Sequence, residues 1–229
     1  MSEFAQFNVY RPMIGEIDRE ETKRYAGLKS GADFPAEIVE QACGKIMLLK
    51  APAAVWSVYA YEPAGAIIKA AEPYVLPGRS LPRHLGTSSR VVFLAATVGA
   101  AAEAAVTEAF DRGEYALALL LDAAATAAVE QTADALGKLM SARFAGQGLQ
   151  MTKRFSPGYG DWPLTEQKAA CSLSGAAKIG IGLNESMMLT PRKSITAVIG
   201  LGCGEVALTG QSCAECLLTG CLLRREGTK

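Results

Sequence analysis

Apolar and polar positions divide this chain into helix-like and strand-like runs before any chemistry is considered. After an extended start, Asp18 can cap a helix through the segment EETKRYAGL, with Glu20 and Glu21 in its first turn, where the helix dipole favours acids. Phe34-Pro35 opens the next helix, AEIVEQACGKIMLLK, in which Ile38, Ala42, Ile46 and Leu49 recur at helical spacing. Pro52 closes it. AVWSVYAYE, rich in β-branched and aromatic residues, reads as a strand, and SRVVFLAATVG as a buried strand ending at Gly99. Two long helices are expected around 100–111 and 114–144, separated by a turn at Asp111-Arg112-Gly113. Ala95 to Ala145 holds 19 alanines, and small side chains let helices approach closely. Tyr115, Leu117, Leu119 to Leu121, Val129, Leu136, Leu139 and Met140 supply a packing face, which makes the segment core and not a low-complexity linker.

Beyond residue 150 the texture changes. QMTKRF reads as a short strand, SPGYGDWP as a turn-rich loop, LTEQKAACSLSGAAKIG as a helix, and LNESMML and KSITAVIGLG as strands. There is no regular β-α-β rhythm and no glycine-rich nucleotide loop, so the expected class is α+β. Residues 1–202 are expected to form a single domain, and 203–229 a Cys-rich tail.

Charge narrows the functional classes. Across 229 residues, 23 Lys+Arg balance 23 Asp+Glu. This argues against nucleic-acid binding, which runs on accumulated cations. The longest uncharged stretch is twelve residues, Val91 to Ala102, short of the roughly 20 that a spanning helix needs. The N-terminus shows no basic region followed by an apolar one, so the expectation is a cytoplasmic chain without membrane association. A single histidine, His84, thins out any site that needs a His pair, and it is expected at the surface or as a helix cap.

The loop Arg154-Phe155-Ser156-Pro157-Gly158-Tyr159-Gly160-Asp161-Trp162-Pro163 carries the clearest chemistry. Pro157 and Gly158 suit the two central positions of a type II turn, which would hold Arg154 and Tyr159 at fixed relative positions. Arginine can clamp a carboxylate, and an aromatic ring can stack on a base or face a cation. S-adenosylmethionine combines all three features. The alternative is a structural loop whose Tyr and Trp cover a core edge.

These residues also carry a family resemblance. RFSPGYGDWPLTEQ, followed by LNESMMLTPRKSITAVIGLG, resembles the reactivation (activation) domain of cobalamin-dependent methionine synthase. That family's Arg-x-x-x-Gly-Tyr signature is met by Arg154, Gly158 and Tyr159. Its Leu-x-Glu-Ser and Pro-x-x-Ser stretches are met in order by Leu183-Asn184-Glu185-Ser186 and Pro191-Arg192-Lys193-Ser194. The likeness covers about 151–200 and extends to the helix 115–144. It implies a mixed or antiparallel twisted sheet packed with long helices, and a module that binds S-adenosylmethionine. That module would present the ligand to a cobalamin held by a separate corrinoid protein, with flavodoxin or another one-electron reductase supplying the electron. Arg154 would bind the methionyl carboxylate, Gly158 would let backbone approach the ligand beside Pro157, and Tyr159 would line the adenosyl pocket. Cobalt would be the nucleophile and the sulfonium an activated donor, so no general base is needed.

Two further features bear on function. Cys203, Cys213, Cys216 and Cys221 could supply four thiolates to zinc or to an iron–sulfur cluster, or could be free thiols; Cys43 and Cys171 fall on apolar helical stretches and read as core. Asp122, Thr126, Glu130, Asp134 and Lys138 form a polar stripe, either a solvated face or, at Glu130, part of the ligand site. The leading expectation is a stand-alone activation protein of methionine synthase, the reactivation component of a methyltransferase. The alternatives are a non-catalytic corrinoid-protein assembly factor and an electron-transfer protein using the tail cysteines.

Overall fold

A computed structural model describes residues 6–27 and 35–203. The chain opens with strand β1 (Asn8–Tyr10) and helix α1 (Arg19–Tyr25). Asp18 caps α1 as expected, its carboxylate accepting from the Glu21 N–H at 2.9 Å. Helix α2 (Ala36–Leu49) and strand β2 (Ala53–Glu62) follow, meeting the expected breaks at Pro35 and Pro52. Residues 63–88, from which no element was expected, supply β3 (Ile67–Lys69), β4 (Tyr74–Val75) and α3 (Ser80–Leu85). Their pieces are too short to show a period.

Strand β5 (Arg90–Thr97), α4 (Ala100–Asp111) and α5 (Tyr115–Ala145) lie where the pattern placed them. Then come β6 (Gln150–Met151), α6 (Gln167–Ser174), β7 (Gly182–Leu183), β8 (Leu189–Thr190) and β9 (Ser194–Gly202). Two expectations need correction. The helix read over 164–180 is broken, with single 3-10 turns at Leu164–Glu166 and Ala176–Ile179 on either side of α6, because Gly175 ends α6 in the left-handed conformation. The strand read over LNESMML is the β7–β8 hairpin, turned by Asn184, whose side-chain oxygen accepts from the Ser186 and Met188 N–H groups.

The main sheet runs β4-β3-β2-β5-β9-β6, with β1 also on β2, and every pairing among the described strands is antiparallel. Its two faces are buried differently. Ala54, Trp56, Leu94, Ala197, Ile199 and Leu201 pack on α5 through Ala133, Leu136, Met140 and Phe144. On the opposite face, Phe93, Val198, Phe155 and Trp162 form a second layer with Leu81, Leu85 and Ala170.

Helix α5 is apolar over most of its middle, outside the polar stripe, because it is covered there: the sheet takes one side, and α1, α2 and α4 take much of the rest. By length and mean hydropathy it could span a bilayer, yet 61% of its most apolar 18-residue window is buried inside the protein. Alanines at 118, 124, 125, 127 and 128 let these helices approach closely, so the Ala-rich composition is a packing device.

Candidate functional site

The candidate site lies where the sheet runs out at β9. The segment after β6 follows β9 for only a few residues. Thr152 N–H donates to Gly200 O at 3.0 Å, and Phe155 and Val198 exchange backbone bonds of 3.0 and 2.8 Å. Continuing that register puts Pro157 level with Thr196, and a proline has no N–H with which to extend the ladder. In an antiparallel ladder, alternate residues aim their N–H and C=O at the same edge. Thr196 therefore aims its backbone groups the way Val198 and Gly200 do, but no described strand receives them. Its hydroxyl is also buried, with no hydrogen-bond partner among the described residues.

Alternation along the same segment sends Arg154 and Phe155 to opposite sides of the sheet. Phe155 joins the cluster with Trp162 and Val198. Arg154 turns towards α5, where its Nη2 donates to Glu130 Oε2 at 3.0 Å and to Asp134 Oδ1 at 2.8 Å. Its Nη1 is buried and has no partner among the described residues. Half of the guanidinium fork is thus held in place, and the other half is uncommitted.

The loop after Arg154 forms the expected turn. Tyr159 N–H donates to Ser156 O at 3.2 Å, and Gly158 takes a φ of +92°, as the third residue of a type II turn requires. Gly158 N–H then donates to Trp162 O at 2.8 Å, closing the loop on itself. Two contacts lock it to the α3 entry. The Asp161 carboxylate accepts from the N–H groups of Arg79 at 2.7 Å and Ser80 at 2.8 Å. Gly160, at a φ of +55°, lies so close that a Cβ there would come within 2.7 Å of Ser80. Tyr159 is half-exposed, with its ring edge-on to Phe155 at 6.2 Å.

Arg154 and Tyr159 are therefore fixed relative to one another, as expected, but they flank the sheet edge from opposite faces and do not share one wall. His84 departs from expectation: it is buried, its Nε2 lies 2.8 Å from the Lys153 carbonyl oxygen, and its ring packs against Phe155 at 5.1 Å. It braces the segment that carries Arg154.

The polar stripe on α5 is a docking rail more than a solvated face. Lys193 Nζ meets Asp122 Oδ1 at 2.8 Å and Thr126 Oγ1 at 2.9 Å, and Arg154 meets Glu130 and Asp134. Arg192 binds Glu103 of α4 through both its side chain and its backbone N–H, while Ser194 Oγ donates to Thr97 Oγ1 at 2.9 Å. The Pro191-to-Ser194 stretch is thus a strap between sheet and helices. Sequence reading missed Thr196, the anchoring by Asp161, and the pairing of Asp134 with Arg154. The i, i+4 spacing of Glu130 and Asp134 on one helix is the signal that could have exposed the last of these.

Asp161 yields a pH prediction. The two backbone N–H bonds hold its carboxyl below the usual carboxylate range. A depressed folded pKa stabilises the protein above the unfolded value, near about 3.9, and that contribution fades as pH falls through the lower folded value. Thermal unfolding of Asp161→Asn should therefore show its largest deficit against wild type at neutral pH, with the gap closing below about pH 4. A gap that stays constant between neutral and acid would contradict the anchoring role.

Of the tail cysteines, Cys203 is described and exposed, just past β9, and makes no disulfide with a described residue; Cys213, Cys216 and Cys221 lie outside the described residues. Among the described residues, no group of three or more His, Cys, Asp or Glu side chains is placed to hold a metal ion. Cys43 is buried and Cys171 half-buried, in keeping with core positions. Burial pushes the Cys43 thiol up and the Cys171 thiol up to about 11, so both are protonated at neutral pH.

The sequence matches no family model and no curated protein. Among solved structures, the crystal structure of a MetH reactivation domain bound to AdoHcy aligns with a TM-score of 0.56. The identity is 13%, and the alignment covers 87% of this chain and 79% of that one. The chain has the reactivation-domain fold. The expected α+β class, with an antiparallel sheet and long helices, is therefore met in this structure. Within the reactivation-domain fold of this chain, the segment carrying Arg154, Gly158 and Tyr159 lies at the β9 edge, between the α5 rail and the Trp162 layer.

Proposed function

We propose that the β9 edge binds S-adenosylmethionine, and that the chain serves as a stand-alone activation protein for a cobalamin-dependent methionine synthase. The observation that carries this reading is the half-committed Arg154 fork, in a fold whose solved counterpart holds AdoHcy. Arg154 Nη1 would take the methionyl carboxylate, and the backbone of Thr196, which no described strand receives, offers hydrogen bonds beside it. Tyr159, exposed on the other side of the edge, would cover the adenosyl group. Arg154 with Glu130 and Asp134 carries a net charge of −1, which favours a ligand of net positive charge. S-adenosylmethionine has that charge through its sulfonium and ammonium groups, whereas the demethylated product is a neutral zwitterion. The site would thus hold the methyl donor and let the product go.

When bound, S-adenosylmethionine supplies an electrophilic methyl group. A separate corrinoid protein would present its inactive cobalamin as acceptor, and one electron would come from a flavodoxin-like or other reductase. This chain's own residues orient the donor and contribute no acid or base.

One observation favours a second reading. Both partners of Arg154 are carboxylates of this chain, as in a purely structural ion pair. A non-catalytic assembly or electron-transfer factor for a corrinoid protein would keep the fold with that pair closed. Titration calorimetry on the full chain separates the two. Saturable binding of S-adenosylmethionine, tighter than that of its demethylated product, is expected. Absence of binding by either compound would sink the first reading and leave the second.

A further inference from the structure

A second site, distant from Arg154 in the sheet order, opens over β2 and β3 where α5 ends. It is a cleft of about 770 Å³, within the range of small-molecule sites. Its floor follows from register. Ala60 of β2 pairs with Arg90 of β5 on one side and with Lys69 of β3 on the other. Directly paired residues share a face, so two cations flank an alanine, about 10 Å apart across two strand spacings. Trp56, two turns of the pleat along β2, lies on that same face under α5. From the last turn of α5, Arg143 places its guanidinium 5.2 Å from the Trp56 ring.

Three cations from three elements thus converge on one concavity, and among the described residues no Asp or Glu lines it. Lys69 has a carboxylate neighbour, Glu62, which lies outside the lining. Arg90 has no ion-pair partner among the described residues. Arg143 has a structural role at the negative end of the α5 dipole and over Trp56. No such role accounts for Arg90, and Lys69 shares its charge with Glu62 at the rim. Like charges gathered across neighbouring strands repel, and an anion between them relieves that repulsion.

We propose that this cleft binds a phosphate-bearing small ligand carrying at least two negative charges, a diphosphate. A single carboxylate would leave most of the positive charge uncompensated, whereas a diphosphate can span Arg90 and Lys69 while Arg143 closes from above. The small side chains of Ala60, Ala70 and Ala71 leave room for it beside Lys69. This inference does not depend on the S-adenosylmethionine reading, because the two sites share no residue.

The test is calorimetric titration of the full chain with ADP, with inorganic pyrophosphate and with adenosine. ADP and pyrophosphate should bind saturably, with affinity falling as salt is raised, and adenosine should not. Arg90→Ala and Arg143→Ala should each weaken ADP about tenfold. Glu62→Gln, which frees Lys69, should tighten it, and Arg112→Ala on the far side of the molecule should leave it unchanged. All four positions are solvent-facing, and circular dichroism would verify that the variants fold. S-adenosylmethionine should not compete. No saturable binding of ADP or pyrophosphate up to about 10 mM, or binding indifferent to Arg90 and Arg143, would overturn the proposal.

Discussion

Trp162→Ala should lower the unfolding free energy by about 3–5 kcal/mol, the largest loss expected from any single truncation in the loop. Trp162 is fully buried, its ring lies 6.2 Å from that of Phe155, and the layer it fills joins α3 and α6 to the sheet. Its removal leaves a void bounded by strands, which cannot collapse freely. Trp162→Phe keeps an aromatic ring in that layer and gives up chiefly the volume of the second ring and the approach of the indole to Tyr74. That variant should cost less than about 2 kcal/mol. Denaturant titrations would measure both, and a loss below about 1 kcal/mol for the alanine variant would mean that the loop does not depend on its tryptophan.

Arg154→Ala should weaken S-adenosylmethionine binding about 100-fold, roughly the worth of two charge-assisted hydrogen bonds. Arg154→Lys should restore little of it. A lysine carries the charge but lacks the planar fork that lets one nitrogen hold Glu130 and Asp134 while the other faces a ligand. The same substitutions should barely change stability. Arg154, Glu130 and Asp134 are 26, 38 and 62% exposed, and ion pairs of such exposure contribute about 0–1 kcal/mol. Binding loss without stability loss would therefore report on the ligand contact. Unaltered binding in the alanine variant would remove Arg154 from the site and leave the ion pair as a structural tie.

The two predictions differ in how far the residues announced themselves. Trp162 sits in a turn-rich loop, where an aromatic residue could equally well cap a core edge or line a pocket, and only its position beneath α3 decides for the core. Arg154 stands out as a candidate ligand residue from its spacing to Gly158 and Tyr159. Its two carboxylate partners were legible only as members of a helical stripe, 20 and 24 residues earlier in the chain. Nothing local connects the stripe to the loop. The connection exists because β9 carries the loop past the middle of α5.

Local rules were sufficient for much of the architecture. The Asp18 cap, the proline breaks around α2, the Ala-rich pair α4 and α5, and the type II turn at Pro157-Gly158 all follow from backbone preferences and periodicity within a few residues. Short pieces escaped: β3, β4 and α3 span too few residues to show a period, and α6 ends early because Gly175 adopts a left-handed conformation that a helical pattern does not reveal.

The sequence by itself determined where this chain makes its longer helices and strands, and which loop bears an arginine, a glycine and a tyrosine at fixed spacing. Tertiary structure alone decided which side of the sheet each of those side chains occupies, that His84 is buried, and that Arg90, Lys69 and Arg143 converge. The reason is physical. Elements form through contacts a few residues apart, whereas the face a side chain takes and the charges it meets depend on strand register, which is set by pairing between segments distant in the chain.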